Sequence, residues 1–115
     1  MRIKERVVGN VTILELKGNL MGGDETDTFH GKLESLRQDK INQVVLDLGG
    51  VALVSSAGVG MLISGAKSMR ASDGDLRLAN LTERVHNVLV VITQLGAVFK
   101  IYETADRAAD SYDSE

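Results

Sequence analysis

The segment QVVLDL, residues 43–48, places the tightest constraint on the fold, because it is a short apolar run bounded by polar residues and then by Gly49-Gly50. Such a run does not alternate, so both of its faces need apolar cover, as for a strand in the middle of a parallel sheet. Parallel neighbours require crossover connections, and the flanking segments carry the helical periodicity that supplies them. Upstream, Phe29, Leu33 and Leu36 recur at helical spacing through Gln38, with Asp24 or Thr26 available as the N-cap. Downstream, the link VALV leads into SSAGVGMLISGAKSMR, whose Val59, Leu62, Ile63 and Ala66 form an apolar stripe on a second helix over about residues 57–70.

The remaining segments extend this pattern. RIKERVV and VTILELK, residues 2–8 and 11–17, carry β-branched residues and partial alternation on either side of Gly9-Asn10, which reads as a hairpin. After the turn Asp73-Gly74, Leu76 and Leu78 alternate in DLRLA, and Thr82 precedes a third stripe of Val85, Val88, Leu89 and Ile92 that Gly96 ends. VFKIY reads as the last strand and residues 105–112 as a weaker helix, followed by an acidic tail at 113–115. The order β-β-α-β-α-β-α-β-α predicts an α/β fold with a small mixed sheet: an N-terminal antiparallel hairpin, then parallel strands with interspersed helices and right-handed crossovers. A chain of 115 residues buries roughly 65% of its unfolded surface, enough for one core. With no Pro and no Ser/Gly linker, residues 1–112 are expected to form one domain.

Composition narrows the function. The net charge is -3 and the basic residues are scattered among acids, so the clustered cations that nucleic acid or a membrane surface requires are missing. There is no Cys, which excludes disulfides and thiolate metal sites and suits a reducing compartment. The N-terminus alternates like a strand and lacks the apolar core of a signal peptide, and no segment approaches the roughly 20 apolar residues of a membrane span. A cytoplasmic location is expected.

Most catalytic patterns fail on spacing. Ser55 and Ser56 lie where a strand meets a helix, but Val51 and Val54 precede them in place of the G-x-S-x-G elbow, and the only downstream His is His86, inside the third helix. Residues 60–68, GMLISGAKS, miss the phosphate-loop pattern by the extra Ala66 and carry the stripe of the second helix. Gly58-Val59-Gly60 lacks the third Gly of a dinucleotide fingerprint. His30 and His86 are far apart, with no paired metal-ligand spacing, so no metal or other cofactor is expected. Asp24, Glu25 and Asp27 suit the positive end of a helix dipole. What remains is the serine pair, which on spacing alone makes Ser56 an N-cap and Gly58 and Gly60 close-packing positions.

The stretch DLGGVALVSSAGVG, residues 47–60, closely resembles the signature of STAS-domain anti-sigma factor antagonists, a pattern near D-L-S-x-V-x-F-[IM]-D-S-S-G-L-G. ELKGNL, GDLRLANLTERVHNVL and LGAVFKIYETADRA resemble further segments of that bacterial family, so the likeness runs along most of the chain. The resemblance implies the mixed sheet read above, no enzymatic activity, and a phosphorylated serine in the D-S-S triplet. Carried over by position, Ser55 stands where the family has Asp, Ser56 on the phosphoacceptor and Ala57 on the second Ser, while Gly58 and Gly60 match the glycines. Ser56 is therefore the expected phosphorylation site, with Ser55 second. The implied partners are an anti-sigma factor that is itself a serine protein kinase, and a phosphatase. They would meet a monomer or weak dimer at Gly22, Gly23, Asp24, Val54, Ser55, Ser56, Ala57, Gly58 and Val59. Two other readings stay open: a phosphorylation-independent scaffold or transport accessory of the same fold, and a nucleotide-binding domain.

Overall fold

The computed structural model describes residues 1–92 and 98–113, with the side chains of residues 91 and 92 left aside. Strands β1 (Arg2–Val8) and β2 (Val11–Lys17) pair antiparallel from Arg2↔Lys17 to Val8↔Val11. Gly9 takes a φ of 60°, as a two-residue hairpin loop with Gly at its first position requires. Strands β3 (Gln43–Gly50), β4 (Asp75–Ala79) and β5 (Ile101–Tyr102) then add in parallel, giving the sheet order β1-β2-β3-β4-β5. The mixed sheet and the central place of QVVLDL follow the reading of the sequence, with β3 two residues longer than expected.

Successive side chains of β3 enter different cores. Val44, Leu46 and Leu48 pack with Leu14, Leu16, Leu76 and Leu78 under helices α1 (Asp24–Gln38) and α2 (Ser56–Ala71). Val45 faces the other way with Val11, Ile13 and Ala79, beneath helix α4 (Ala105–Asp113). Where α1 crosses α2, a Cβ on Gly65 would stand 2.9 Å from both Phe29 and Leu33, so this glycine sets the interhelical distance. Gly60, by contrast, has open space around it and packs against nothing, contrary to the expectation.

Several boundaries depart from periodicity. The N-cap of α1 is Gly23, with φ 69° and no side-chain cap, rather than Asp24 or Thr26. The chain enters that helix in a conformation only Gly holds cheaply, and the acids fill the first turn instead. Thr82 does cap the next helix, α3 (Glu83–His86), accepting from the Val85 N–H, but Asn87–Ile92 continues as a wider π-helical turn. Gly96 lies outside the described residues. Strand β5 is only two residues because Phe99, 3% exposed, turns into the core instead of joining β4.

DLRLA alternates in sequence, yet every residue of β4 is buried. Arg77, 1% exposed, is accommodated by partners: its Nε donates to Asp75 Oδ2 at 3.2 Å, its Nη1 donates to Ser111 Oγ at 2.6 Å, and its guanidinium lies 3.8 Å from the centre of the Tyr112 ring. The Tyr112 hydroxyl sits 2.7 Å from the Val44 carbonyl and 2.8 Å from the Asp75 carbonyl, and accepts from the Val44 N–H at 3.2 Å. Because the apolar face of α4 is mostly alanine, this polar knot holds the helix to the sheet more than area does. Replacing Tyr112 by Phe is expected to lower unfolding free energy by about 1–3 kcal/mol, since buried backbone groups lose a partner. Urea unfolding followed by circular dichroism checks this, and an unchanged midpoint would remove the role given to the hydroxyl.

Candidate serine turn at the start of helix α2

The turn is built from the end of β3. Asp47 Oδ1 accepts from the Gly49 N–H at 3.0 Å and from Asn80 Nδ2 at 3.1 Å, tying the ends of β3 and β4. Beyond it Val51 dives into the core, and its carbonyl accepts from Thr82 Oγ1. The chain then runs beside Leu20: the Leu20 N–H donates to the Leu53 carbonyl and the Ser55 N–H to the Leu20 carbonyl, each at 2.9 Å, with a parallel bridge Leu20↔Val54 between them.

Ser55 is extended, with φ -86° and ψ 173°, and its Oγ accepts from the Gly58 N–H at 3.1 Å. Ser55, not Ser56, is therefore the N-cap of α2, a correction of one position that decides what each serine can do. Its cap bond and a 3.4 Å contact to the Leu20 carbonyl occupy Ser55 Oγ in a half-buried setting. Ser56 becomes the first helical residue, exposed, and its hydroxyl makes no hydrogen bond among the described residues. The N–H groups of Ser56 and Ala57 are unbonded as well, as the geometry of a helix start dictates. No acid lies in the first turn of α2.

Gly58 is buried because a Cβ there would overlap the Leu20 carbonyl. Val59 is 8% exposed and belongs to the core. These two expected contact residues thus shape the turn from below and offer no surface. The other expected residues do converge. Gly22, with φ 93°, abuts Ala57, where a Cβ on the glycine would come within 2.8 Å of the alanine Cβ. Gly23 and Asp24 follow at the exposed start of α1. Sequence reasoning missed Met21 and Leu53, which are 52% and 37% exposed and flank the turn with apolar surface. Their signal was two large apolar residues inside turn-rich stretches.

No group of three potential metal ligands occurs among the described residues. A cleft of about 560 Å³ lies at the far end of α2, between Arg70, Asp75, Arg77 and Tyr112. No helix of the described residues is long and apolar enough to cross a membrane. Ser55→Ala is expected to cost about 1 kcal/mol as a lost cap, whereas Ser55→Asp keeps the cap and costs less. Gly58→Ala should cost roughly 1–3 kcal/mol through overpacking. Thermal unfolding of the three variants checks the order, and an indifferent Gly58→Ala would contradict the close approach to Leu20.

Comparisons with known proteins agree with this architecture. The protein TM1081 of Thermotoga maritima superposes with a TM-score of 0.74 at 24% identity over 95% of this chain and 92% of that one. The anti-sigma factor antagonist SpoIIAA in its unphosphorylated form gives a TM-score of 0.78 at 16% identity, covering 99% of this chain and 98% of its own. The murine anion transporter Slc26a9 contains the same fold in 19% of its length, with a TM-score of 0.74 at 15% identity over 96% of this chain. These likenesses establish a shared fold. A model of the STAS domain matches residues 2–108, from the first strand into α4, and the chain belongs to the STAS-domain family.

Proposed function

We propose that this chain is an anti-sigma factor antagonist: it docks through the serine turn onto an anti-sigma factor of the serine-kinase type, and phosphorylation of Ser56 by that kinase ends the interaction. The observation that carries this reading is the position of Ser56, an exposed first helical residue with an unengaged hydroxyl beside two unbonded N–H groups. The γ-phosphoryl group of ATP would pass to Ser56 Oγ as the hydroxyl gives up its proton and ADP leaves. The kinase supplies the catalytic groups and this chain supplies the acceptor. Ser55 is the poorer acceptor, because modification would take its oxygen from the Gly58 N–H and open the helix start.

The added phosphate suits the fold and offends the partner. At the start of a helix it meets free N–H groups and the positive end of the dipole, so little rearrangement is needed. A docked surface meets about -1.5 to -2 of new charge. One unit of like-charge repulsion at 4 Å, with an effective dielectric of about 20, costs roughly 4 kcal/mol, or about a thousandfold in affinity. SpoIIAA of Bacillus, also solved in its phosphorylated form, keeps a fold that superposes on this chain with a TM-score of 0.72, which supports a local switch. Met21 and Leu53 would provide the apolar contacts around the serine.

A second reading is favoured by the likeness to Slc26a9: a scaffold or transport accessory whose turn packs against other subunits without phosphorylation. Affinity for a serine-kinase anti-sigma factor separates the two. Wild type and Ser56→Ala should bind alike and Ser56→Asp at least tenfold more weakly, while incubation with the kinase and ATP should place one phosphate on Ser56 by mass spectrometry. Equal affinity of all three proteins, or phosphate found elsewhere, would sink the switch.

A further inference from the structure

Three acids open α1, and the geometry separates them. Asp24 and Asp27 make no side-chain hydrogen bond or ion pair among the described residues, as suits residues that only face the helix dipole. Glu25, in the same turn, reaches back out of the helix: its Oε2 accepts from the Met21 N–H at 3.2 Å, and its Oε1 lies 3.8 Å from the Met1 amino group. In a capping box the first-turn carboxylate reaches back to the N–H of the N-cap residue. Here the N-cap is Gly23, and the carboxylate passes it to hold the residue two places further upstream.

The bond falls where the chain has least else to hold it. As far as Leu20 the segment is tied to residues 50–55 by backbone hydrogen bonds, but the backbone of residues 21 and 22 enters no other among the described residues. Gly22 and Gly23 follow with φ 93° and 69°, and two successive glycines give a chain its greatest conformational freedom. Between the last sheet-like bond at Leu20 and the first turn of α1, Glu25 is the one side chain hydrogen-bonded to the loop among the described residues. Met21 is exposed beside the serine turn, and Gly22 packs on Ala57, next to Ser56. The Glu25 carboxylate is thus joined, through a single backbone group, to the apolar rim of the proposed docking surface.

We infer that Glu25 is a positioning residue of the docking surface: by accepting from the Met21 N–H it holds the 21–23 loop in the conformation that presents Met21 to a protein partner. The inference rests on the docking role of the serine turn. A loop ordered before contact need not be ordered on contact, so its anchor contributes to affinity without touching the partner. An accepting oxygen is what the role requires, and a negative charge is not. Glutamine supplies that oxygen at the same reach, and alanine does not.

The test compares wild type, Glu25→Gln, Glu25→Ala, Met21→Ala and the double variant of the two alanine substitutions, in thermal unfolding and in binding to a serine-kinase anti-sigma factor. Glu25→Ala should bind about threefold to tenfold more weakly, the scale of one hydrogen bond, with an unfolding midpoint within about 4 °C of wild type. Its Met21 amide should exchange faster with solvent in nuclear magnetic resonance, and Glu25→Gln should bind like wild type. The double variant should bind no more weakly than Met21→Ala, because the anchor then has nothing left to present. Losses that add in the double variant would overturn the inference. So would Glu25→Gln binding as weakly as Glu25→Ala, since the charge itself would then be what counts. A larger fall of the midpoint in Glu25→Ala would make Glu25 a residue of the fold and equally overturn it. If Met21→Ala binds like wild type while Ser56→Asp still weakens binding, this inference falls and the serine switch stands. If wild type itself does not bind, the docking reading fails and takes this inference with it.

Discussion

Leu20 gives both of its backbone hydrogen-bonding groups to the segment that leads into α2, while its side chain is fully buried. Its N–H holds the Leu53 carbonyl and its carbonyl holds the Ser55 N–H, so three residues beyond the end of β2 the chain still behaves as sheet. That contact fixes where the helix can start. Ser55 is kept extended, its Oγ falls at the Gly58 N–H, and Gly58 must lack a side chain because the Leu20 carbonyl occupies the place of a Cβ. The exposure of Ser56 follows from these constraints and from nothing about Ser56 itself.

Helix α2 is held at two further points. In its middle, Gly65 brings Phe29 and Leu33 of α1 into contact. At its last turn, Arg70 Nε donates to Asp75 Oδ1 at 3.0 Å, and the other oxygen of the same carboxylate pairs with Arg77. Asp75 thus links α2, β4 and, through Arg77 and Tyr112, α4. The Asp75–Arg77 part of this network is buried while Arg70 is exposed, and a buried pair that is fully satisfied is costly to break and rigidifies what it joins. Among the described residues no buried side-chain nitrogen or oxygen is left without a partner. A helix anchored at both ends and in the middle presents its first residue as a fixed point, which suits recognition by surface charge rather than by a change of shape.

What could be read from the residues alone follows from what periodicity can carry. QVVLDL announced a central strand because a run without alternation has one stable use in a chain this short. Arg77 escaped because a charged residue between two leucines reads as solvent-facing; its burial depends on Asp75, Ser111 and Tyr112, up to 35 residues away in sequence. Gly23 as a cap escaped because its signal is a left-handed backbone rather than a side chain. Of the site, the convergence of residues 22–24 with 54–57 was legible through the family likeness, and the assignment of the cap was not. Two adjacent serines satisfy the same local rule, and only the distant carbonyl of Leu20 chooses between them.

That choice bears on Ser55, which stands where the family pattern that this sequence resembles has Asp. A carboxylate at an N-cap both accepts the Gly58 N–H and neutralises part of the positive helix end, whereas a hydroxyl does only the first. With no acid elsewhere in the first turn of α2, the positive end of this helix is left without a counter-charge of its own. In the proposed switch, phosphate on Ser56 would then be the first anion to occupy that end, favoured by about 0.3–1 kcal/mol through the dipole and free of repulsion from a neighbouring carboxylate. The same substitution removes a negative charge from the unmodified surface. In that proposed switch the contrast a partner would sense between the two states is set by the phosphate, on a turn whose geometry the hydroxyl cap preserves.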